Sequence, residues 1–184
     1  EKKYGSKKFK CDFFGDRNQY RSLVLRNGGN DNTKSLFRDM LMQSIAAPTG
    51  LLVSGFLPCE VYLNGEYWGI HFLQNRADID FIAAKWKVKE KKITLVENWK
   101  LENGSEKEFN KLIRILNDKN LSFKKIDEII DLNDLANYLS AQIFFANTDW
   151  PHNNLKMYFC NNGNESKWRF ALFDTDYGFG YLGE

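Results

Sequence analysis

The sequence predicts a mixed α+β fold, and three observations carry that reading. An Asn-Gly pair at Asn64-Gly65 separates two alternating apolar and polar runs, the mark of a tight hairpin. Ser105 and Glu108 form a capping box ahead of Phe109, Leu112, Ile113 and Leu116, the mark of a helix. The stripe Leu132, Leu135, Leu139, Ile143 and Phe144 follows Asp131 at helical spacing. The 184 residues suffice for one domain or slightly more. An aromatic content of 15% argues against disorder.

The elements follow in chain order. Residues 1–12 are Lys-rich and are expected to form an exposed arm or edge strand. The run Arg21 to Arg26 (RSLVLR) predicts a strand that stops at Asn27-Gly28-Gly29-Asn30, a turn tolerant of positive φ. Asp31 or Asn32 then caps a helix over 33–46, with Leu36, Phe37, Met40, Leu41 and Ile45 expected on its buried face. Pro48 and Gly50 end it. The Asn64-Gly65 hairpin comes next, then a short helix over 78–86 and a strand over 92–97, with the Lys-rich residues 85–92 on solvent. The capped helix, a helical turn over 126–130 and the long helix from Asp131 to about Asn147 precede a second hairpin. Its arms are 155–159 and 168–173, with Asn162-Gly163 between them. Two subregions are expected to meet near residues 74–80.

Composition excludes several functions. Lys plus Arg is 26 and Asp plus Glu is 24, a formal charge of +2, so a phosphate-tracking nucleic-acid binder is disfavoured. No apolar run approaches the roughly 20 residues that a membrane span needs, and residues 1–10 do not read as a signal peptide. Cys11, Cys59 and Cys160 stand far apart and are expected to be reduced; with only His71 and His152 beside them, a zinc site is disfavoured. Neither histidine stands near a nucleophile elbow.

Chemistry concentrates around the second hairpin. Asp149 and Asn154 lie in N-T-D-W-P-H-N-N before it, and Asp174 and Asp176 lie in F-D-T-D-Y-G-F-G after it. A hairpin brings its ends together, so these residues are expected to share one cleft. Each alone is an ordinary turn residue. Together, an Asp, an Asn five residues on and an Asp after the return strand suit phosphoryl transfer. The first Asp orients an acceptor hydroxyl and takes its proton, while the Asn and the later Asp are hard oxygen ligands for a divalent cation on ATP phosphates. Two other classes use D-x-D after a strand. Haloacid-dehalogenase-type phosphatases need it early in the chain, and metal-dependent glycosyltransferases place it after a nucleotide-binding parallel sheet; neither context is present.

The chain resembles the spore-coat protein H (CotH) kinase family of atypical, secreted-type protein kinases. The matching stretches are L-R-N-G-G-N-D at 25–31, F-R-D at 37–39, V-Y-L-N-G-E-Y-W-G-I-H-F-L-Q at 61–74, N-T-D-W-P-H-N-N at 147–154 and F-D-T-D-Y-G-F-G at 173–180. The resemblance implies a protein-kinase-like fold, with part of a small β-rich lobe over 1–76 and a mainly helical lobe over 77–184. It implies ATP as substrate, Mg²⁺ or Mn²⁺ as cofactor, and phosphorylation of Ser or Thr on protein partners of a spore coat or cell surface. Asp149 is then the catalytic acid, and Asn154 and Asp174 are metal ligands, with Asp176 the competitor for that role. Leu73 and Gln74 would lie on the hinge facing adenine, and Arg26 and Arg38 near the phosphates. Asn75 stands where family members carry Glu, and Asp39 is the one acid on the small-lobe helix. No small-lobe Lys or phosphate loop is recognised, so the chain is expected to be truncated at both ends and to bind ATP·Mg²⁺ weakly or not at all by itself. The competing reading is non-catalytic: a pseudokinase, or a module that binds protein or glycan through Trp150, Tyr177 and Tyr181.

Overall fold

Residues 8–163 and 166–181 are described by a computed structural model. Within them the fold is α+β, with nine strands in three antiparallel sheets and five α-helices. Residues 1–7 of the expected Lys-rich arm lie outside this range.

The first two strands, β1 (Phe9–Lys10) and β2 (Gln19–Tyr20), pair in a minimal ribbon closed by aromatics. Tyr20 is buried and stacks on Phe9 at 5.8 Å. The next sheet has the order β3-β5-β4, from β3 (Leu23–Arg26), β4 (Phe56–Leu63) and β5 (Glu66–Asn75). Its hairpin turn holds Asn64 at φ 52° and Gly65 at φ 86°, the left-handed pair that a two-residue turn demands. Helix α1 (Arg38–Ala46) stands between β3 and β4, and Gly50 ends the turn that follows it at φ 86°.

Helix α2 (Ile79–Trp86) begins at Asp78, whose carboxylate accepts from the Phe81 amide at 3.0 Å. The third sheet, of order β7-β6-β8-β9, then forms from β6 (Ile93–Glu97), β7 (Lys100–Asn103), β8 (Lys156–Cys160) and β9 (Trp168–Ala171). Between β7 and β8 come α3 (Glu106–Leu116), α4 (Phe123–Asp127) and α5 (Leu132–Phe144). Their caps are Ser105, Ser122 and Asp131, each accepting from a backbone N–H three residues on. Helix α4 starts earlier than the helical turn expected over 126–130, because Ser122 supplies its cap.

Several expectations are corrected. The region after residue 76 carries a four-stranded sheet in addition to its four helices. Strand β7 was not foreseen, since Lys-Leu-Glu-Asn is short and polar and its turn places Asn98 and Trp99, rather than a glycine, at positive φ. Helix α1 starts at Arg38 rather than near residue 33. Residues Gly29–Thr33 form a separate 3-10 turn, and Leu36 sits at φ 74°. The buried side of α1 is Asp39, Met40, Met42, Gln43 and Ala46, while Leu41 and Ile45 face solvent. On α5 the buried residues are Tyr138, Ala141 and Gln142, while Ile143 and Phe144 are exposed. None of Cys11, Cys59 and Cys160 forms a disulfide.

Two hydrophobic clusters hold these layers together. One joins Met42, Ala46 and Leu51 to Val96, Leu112, Tyr138, Met157 and Trp168. The other joins Leu52 to Phe81, Ile82, Ile93, Leu95 and Tyr158. Each apolar side chain so buried stabilises the fold by about 1.5–3 kcal/mol. Both clusters draw on residues from either side of position 76, and the Leu172 amide donates to Leu52 O at 2.9 Å. The segment before residue 76 is therefore seated on the rest through a shared core.

Asp134 ties α5 to the four-stranded sheet by accepting the Phe170 amide at 2.6 Å. Burial, reinforced by the Asp131 charge, pushes its carboxyl up from 3.8 to about 6. The unfolded chain thus releases this proton before the folded protein does. The stability associated with the protonated group is intact below pH 3.8 and is lost as pH rises through about 6. Asp134→Asn keeps an acceptor for Phe170 and removes the charge. Urea unfolding at pH 8 should show the variant more stable than the parent by about 2–3 kcal/mol, with the difference nearly gone at pH 4. Equal stability at pH 8 would show that solvent reaches the carboxylate freely.

Candidate active site

The loop after α5 is fixed from within by asparagines. Asn147 is buried, donates its Nδ2 to Gln142 Oε1 at 2.9 Å and accepts the Asp149 amide on Oδ1 at 3.2 Å. A cis peptide joins Trp150 to Pro151. The Asp149 carboxylate folds over this loop, its Oδ2 accepting from Asn153 Nδ2 at 3.0 Å and from Asn154 Nδ2 at 2.9 Å. Its side chain keeps 24% of its surface exposed, and His152 Nε2 stands 3.6 Å from Oδ1.

Strands β8 and β9 then form the hairpin that the sequence indicates, with Lys156 opposite Ala171 and Phe159 opposite Trp168. That register brings Asn154 beside Asp174. The Asn154 amide nitrogen donates to Asp149 Oδ2 and also to Asp174 O at 3.2 Å, so one side chain clasps the two acidic loops together. Both Asn154 and Asp174 take positive φ, 54° and 52°. For Asp and Asn the left-handed region is the least unfavourable, because the short polar side chain bonds locally.

On the other side of Asp174 lies Arg26, the last residue of β3. Its guanidinium meets three carboxylates. Nη2 bonds Asp174 Oδ1 and stands 3.0 Å from Asp176 Oδ2, and Nη1 is 3.8 Å from Asp39 Oδ2. Burial works against its charge, but Asp39 and Asp174 carry the guanidinium above its ordinary value. Asp176 is 1% exposed and also accepts the Asn30 amide at 2.8 Å. Burial, with Asp174 alongside, pushes its carboxyl up. Asp39 is 2% exposed; its Oδ1 accepts from Thr175 N at 2.8 Å, Thr175 Oγ1 at 2.9 Å and Gln43 Nε2 at 3.0 Å. Gly29 lets the two groups approach, because a Cβ there would displace both Arg26 Nη2 and Asp176 Oδ2.

Asp149, Asn154, Asp174, Asp176 and Arg26 therefore lie in one network. Arg38 does not join it as a free phosphate donor. Its Nε bonds Asp31 Oδ1 at 3.2 Å, and its Nη1 bonds Gly178 O and Phe179 O at 2.9 and 2.8 Å. Leu73 and Gln74 are likewise not the open hinge expected of them. They sit inside β5 between two partner strands, Leu73 opposite Leu25 and Leu57, Gln74 opposite Val24 and Phe56, where the ladders take up their backbone groups. Asp39 and Thr175 were missed as site residues. The available signal was that Asp39 is the one acid on its helix.

Among the described residues, no group of three or more His, Cys, Asp or Glu is gathered tightly enough to hold a metal ion by itself. The chemistry of the cluster nonetheless fits a hard divalent cation. Three carboxylates face one guanidinium, which leaves two formal negative charges uncompensated. Asp39 Oδ2 and Asp176 Oδ1 are buried with no hydrogen-bond partner. Asp174, whose side chain is 31% exposed, and the oxygen of the Asn154 amide supply ligands of the hard type.

None of the curated proteins matches this chain. The CotH kinase protein family model covers residues 1–184, which is its whole length, and the chain belongs to the CotH kinase family.

Proposed function

We propose that the chain carries the catalytic centre of an ATP- and divalent-metal-dependent protein kinase acting on Ser or Thr of protein partners. The observation that carries this is the Asn154 clasp, which sets a part-exposed carboxylate, Asp149, beside the Asp174 loop. Family membership supplies the reaction class.

In this reading Asp149 Oδ1 or Oδ2 accepts the proton of the acceptor hydroxyl as its oxygen attacks the γ-phosphorus and the bond to the β–γ bridging oxygen breaks. Asn154 and Asp174 would hold Mg²⁺ or Mn²⁺. Bound there, the metal supplies charge neutralisation on the β- and γ-phosphates. Asp176 is assigned a supporting role, since its buried carboxylate holds Arg26 and the Asn30 amide. Arg26 is the side chain placed to meet phosphate, as a guanidinium offers a planar fork to phosphate oxygens.

Calorimetric titration with ATP in the presence and absence of Mg²⁺ tests the reading. The parent should bind nucleotide more tightly with the metal, and Asp174→Asn should weaken that metal-dependent binding by about tenfold or more, because a charged ligand is replaced by a neutral one. Nucleotide binding indifferent to Mg²⁺ in the parent would remove the kinase assignment and leave a binding module.

A further inference from the structure

We propose that Arg26 is the residue that makes metal binding conditional on nucleotide: its guanidinium occupies the cation position of the Asp39–Asp174–Asp176 cluster and must turn to the nucleotide phosphates before a divalent ion takes its place. The proposal rests on the kinase reading above and deepens it.

Three observations support it. First, the guanidinium bonds the carboxylate of Asp174, the most exposed of the three acids and the one assigned to the metal. A cation drawn to that carboxylate oxygen competes with the Arg26 guanidinium that already bonds it. Second, the neutralisation is incomplete. One positive charge serves three negative ones; Asp39 Oδ2 and Asp176 Oδ1 are buried without a hydrogen bond, and Asp39 Oδ2 has only the 3.8 Å ion pair with Arg26 Nη1. Arg26 Nε is unpartnered as well. A divalent ion balances the cluster better than a monovalent guanidinium does, and a phosphate satisfies the guanidinium better than this crowded site does. Third, the place is built to the dimensions of that side chain. Gly29, at φ 63°, leaves room only because it lacks a Cβ, and its neighbour Asn30 pins Asp176 in position.

The consequence is a linkage between the two ligands. Metal alone competes with an internal cation whose local concentration is fixed by the fold. Nucleotide removes that competitor, so metal and nucleotide each raise the affinity for the other by the same factor. If Arg26 covers Asp174 nine-tenths of the time, the apparent affinity for metal alone falls about tenfold.

Mn²⁺ binding followed by electron paramagnetic resonance tests this, with and without a non-hydrolysable ATP analogue. The parent should bind Mn²⁺ about tenfold more tightly when the analogue is present. Arg26→Met should bind Mn²⁺ alone about tenfold more tightly than the parent, lose the enhancement by nucleotide, and bind the analogue more weakly. Removing Arg26 leaves three acids together, so a second variant, Arg26→Met with Asp176→Asn, retains an acceptor for the Asn30 amide and lowers the charge; it should show the same gain in Mn²⁺ affinity. Failure of both variants to bind Mn²⁺ more tightly than the parent overturns the proposal and leaves the kinase reading standing. A parent whose Mn²⁺ affinity ignores nucleotide removes both, because by linkage its nucleotide affinity then ignores the metal. A parent that binds no Mn²⁺ even with the analogue removes the kinase reading and this proposal together.

Discussion

Asp149→Ala should lower phosphoryl transfer by roughly 10²–10⁴-fold, the usual contribution of a positioned general base, and leave the fold intact. The second half of this expectation follows from where the carboxylate sits. Its hydrogen bonds run to Asn153 and Asn154 within its own loop, and it belongs to neither hydrophobic cluster. When the carboxylate is removed, the Asn154 amide still has Asp174 O to bond, so the clasp between the loops is loosened rather than broken. The stability change should therefore stay within about 1 kcal/mol. The check is transfer of labelled γ-phosphate to a serine-rich peptide, measured beside a melting curve of the same preparation. Unchanged transfer with an unchanged melting temperature would take Asp149 out of the chemistry.

The parts of this fold that read clearly from sequence are those set by a local rule. Asn64-Gly65 specifies its hairpin because both residues adopt positive φ readily. Asp78, Ser105 and Asp131 mark helix starts because their side chains accept the amide three residues on. The convergence of Asn154 on Asp174 belongs here as well, since the two flank the near ends of the paired strands β8 and β9. Apolar stripes were a poorer guide. Leu41 and Ile45 repeat at helical spacing but face solvent, because the opposite side of α1 is given to a polar network. In that network Asp39 holds Thr175, and Gln43 Oε1 accepts the Ser54 amide at 2.8 Å. A pattern of hydrophobicity has no means of registering a buried carboxylate that is fully engaged. Nor does any local rule join Arg26 to Asp174, 148 residues away. That pairing depends on how β3 is seated against the second hairpin, a property of the shared core.

The same network underlies the largest stability effect expected here. Asp39→Ala should destabilise the protein by about 3–5 kcal/mol, the range for breaking a buried charged pair by removing one partner. The side chain is 2% exposed, and three donors converge on its Oδ1: Thr175 N, Thr175 Oγ1 and Gln43 Nε2. Alanine leaves Thr175 N and Gln43 Nε2 buried without an acceptor, each at a penalty of about 1–3 kcal/mol unless water enters, while Thr175 Oγ1 keeps only Asp39 O at 3.5 Å. Asp39→Asn separates geometry from charge. Its amide oxygen still accepts from Thr175, but its nitrogen then faces the Arg26 guanidinium, so a loss of about 1–2 kcal/mol is expected. Thr175 lies between Asp174 and Asp176, so the alanine variant also releases the backbone that presents the metal-binding carboxylate. Metal-dependent nucleotide binding should accordingly fall in Asp39→Ala and be largely kept in Asp39→Asn, although neither change touches a proposed ligand. Urea unfolding and ATP titration on the two variants read these effects separately. An alanine variant within 0.5 kcal/mol of the parent would mean that α1 does not hold the 174–176 loop, and that the loop is ordered by the Arg26 and Asn154 contacts alone.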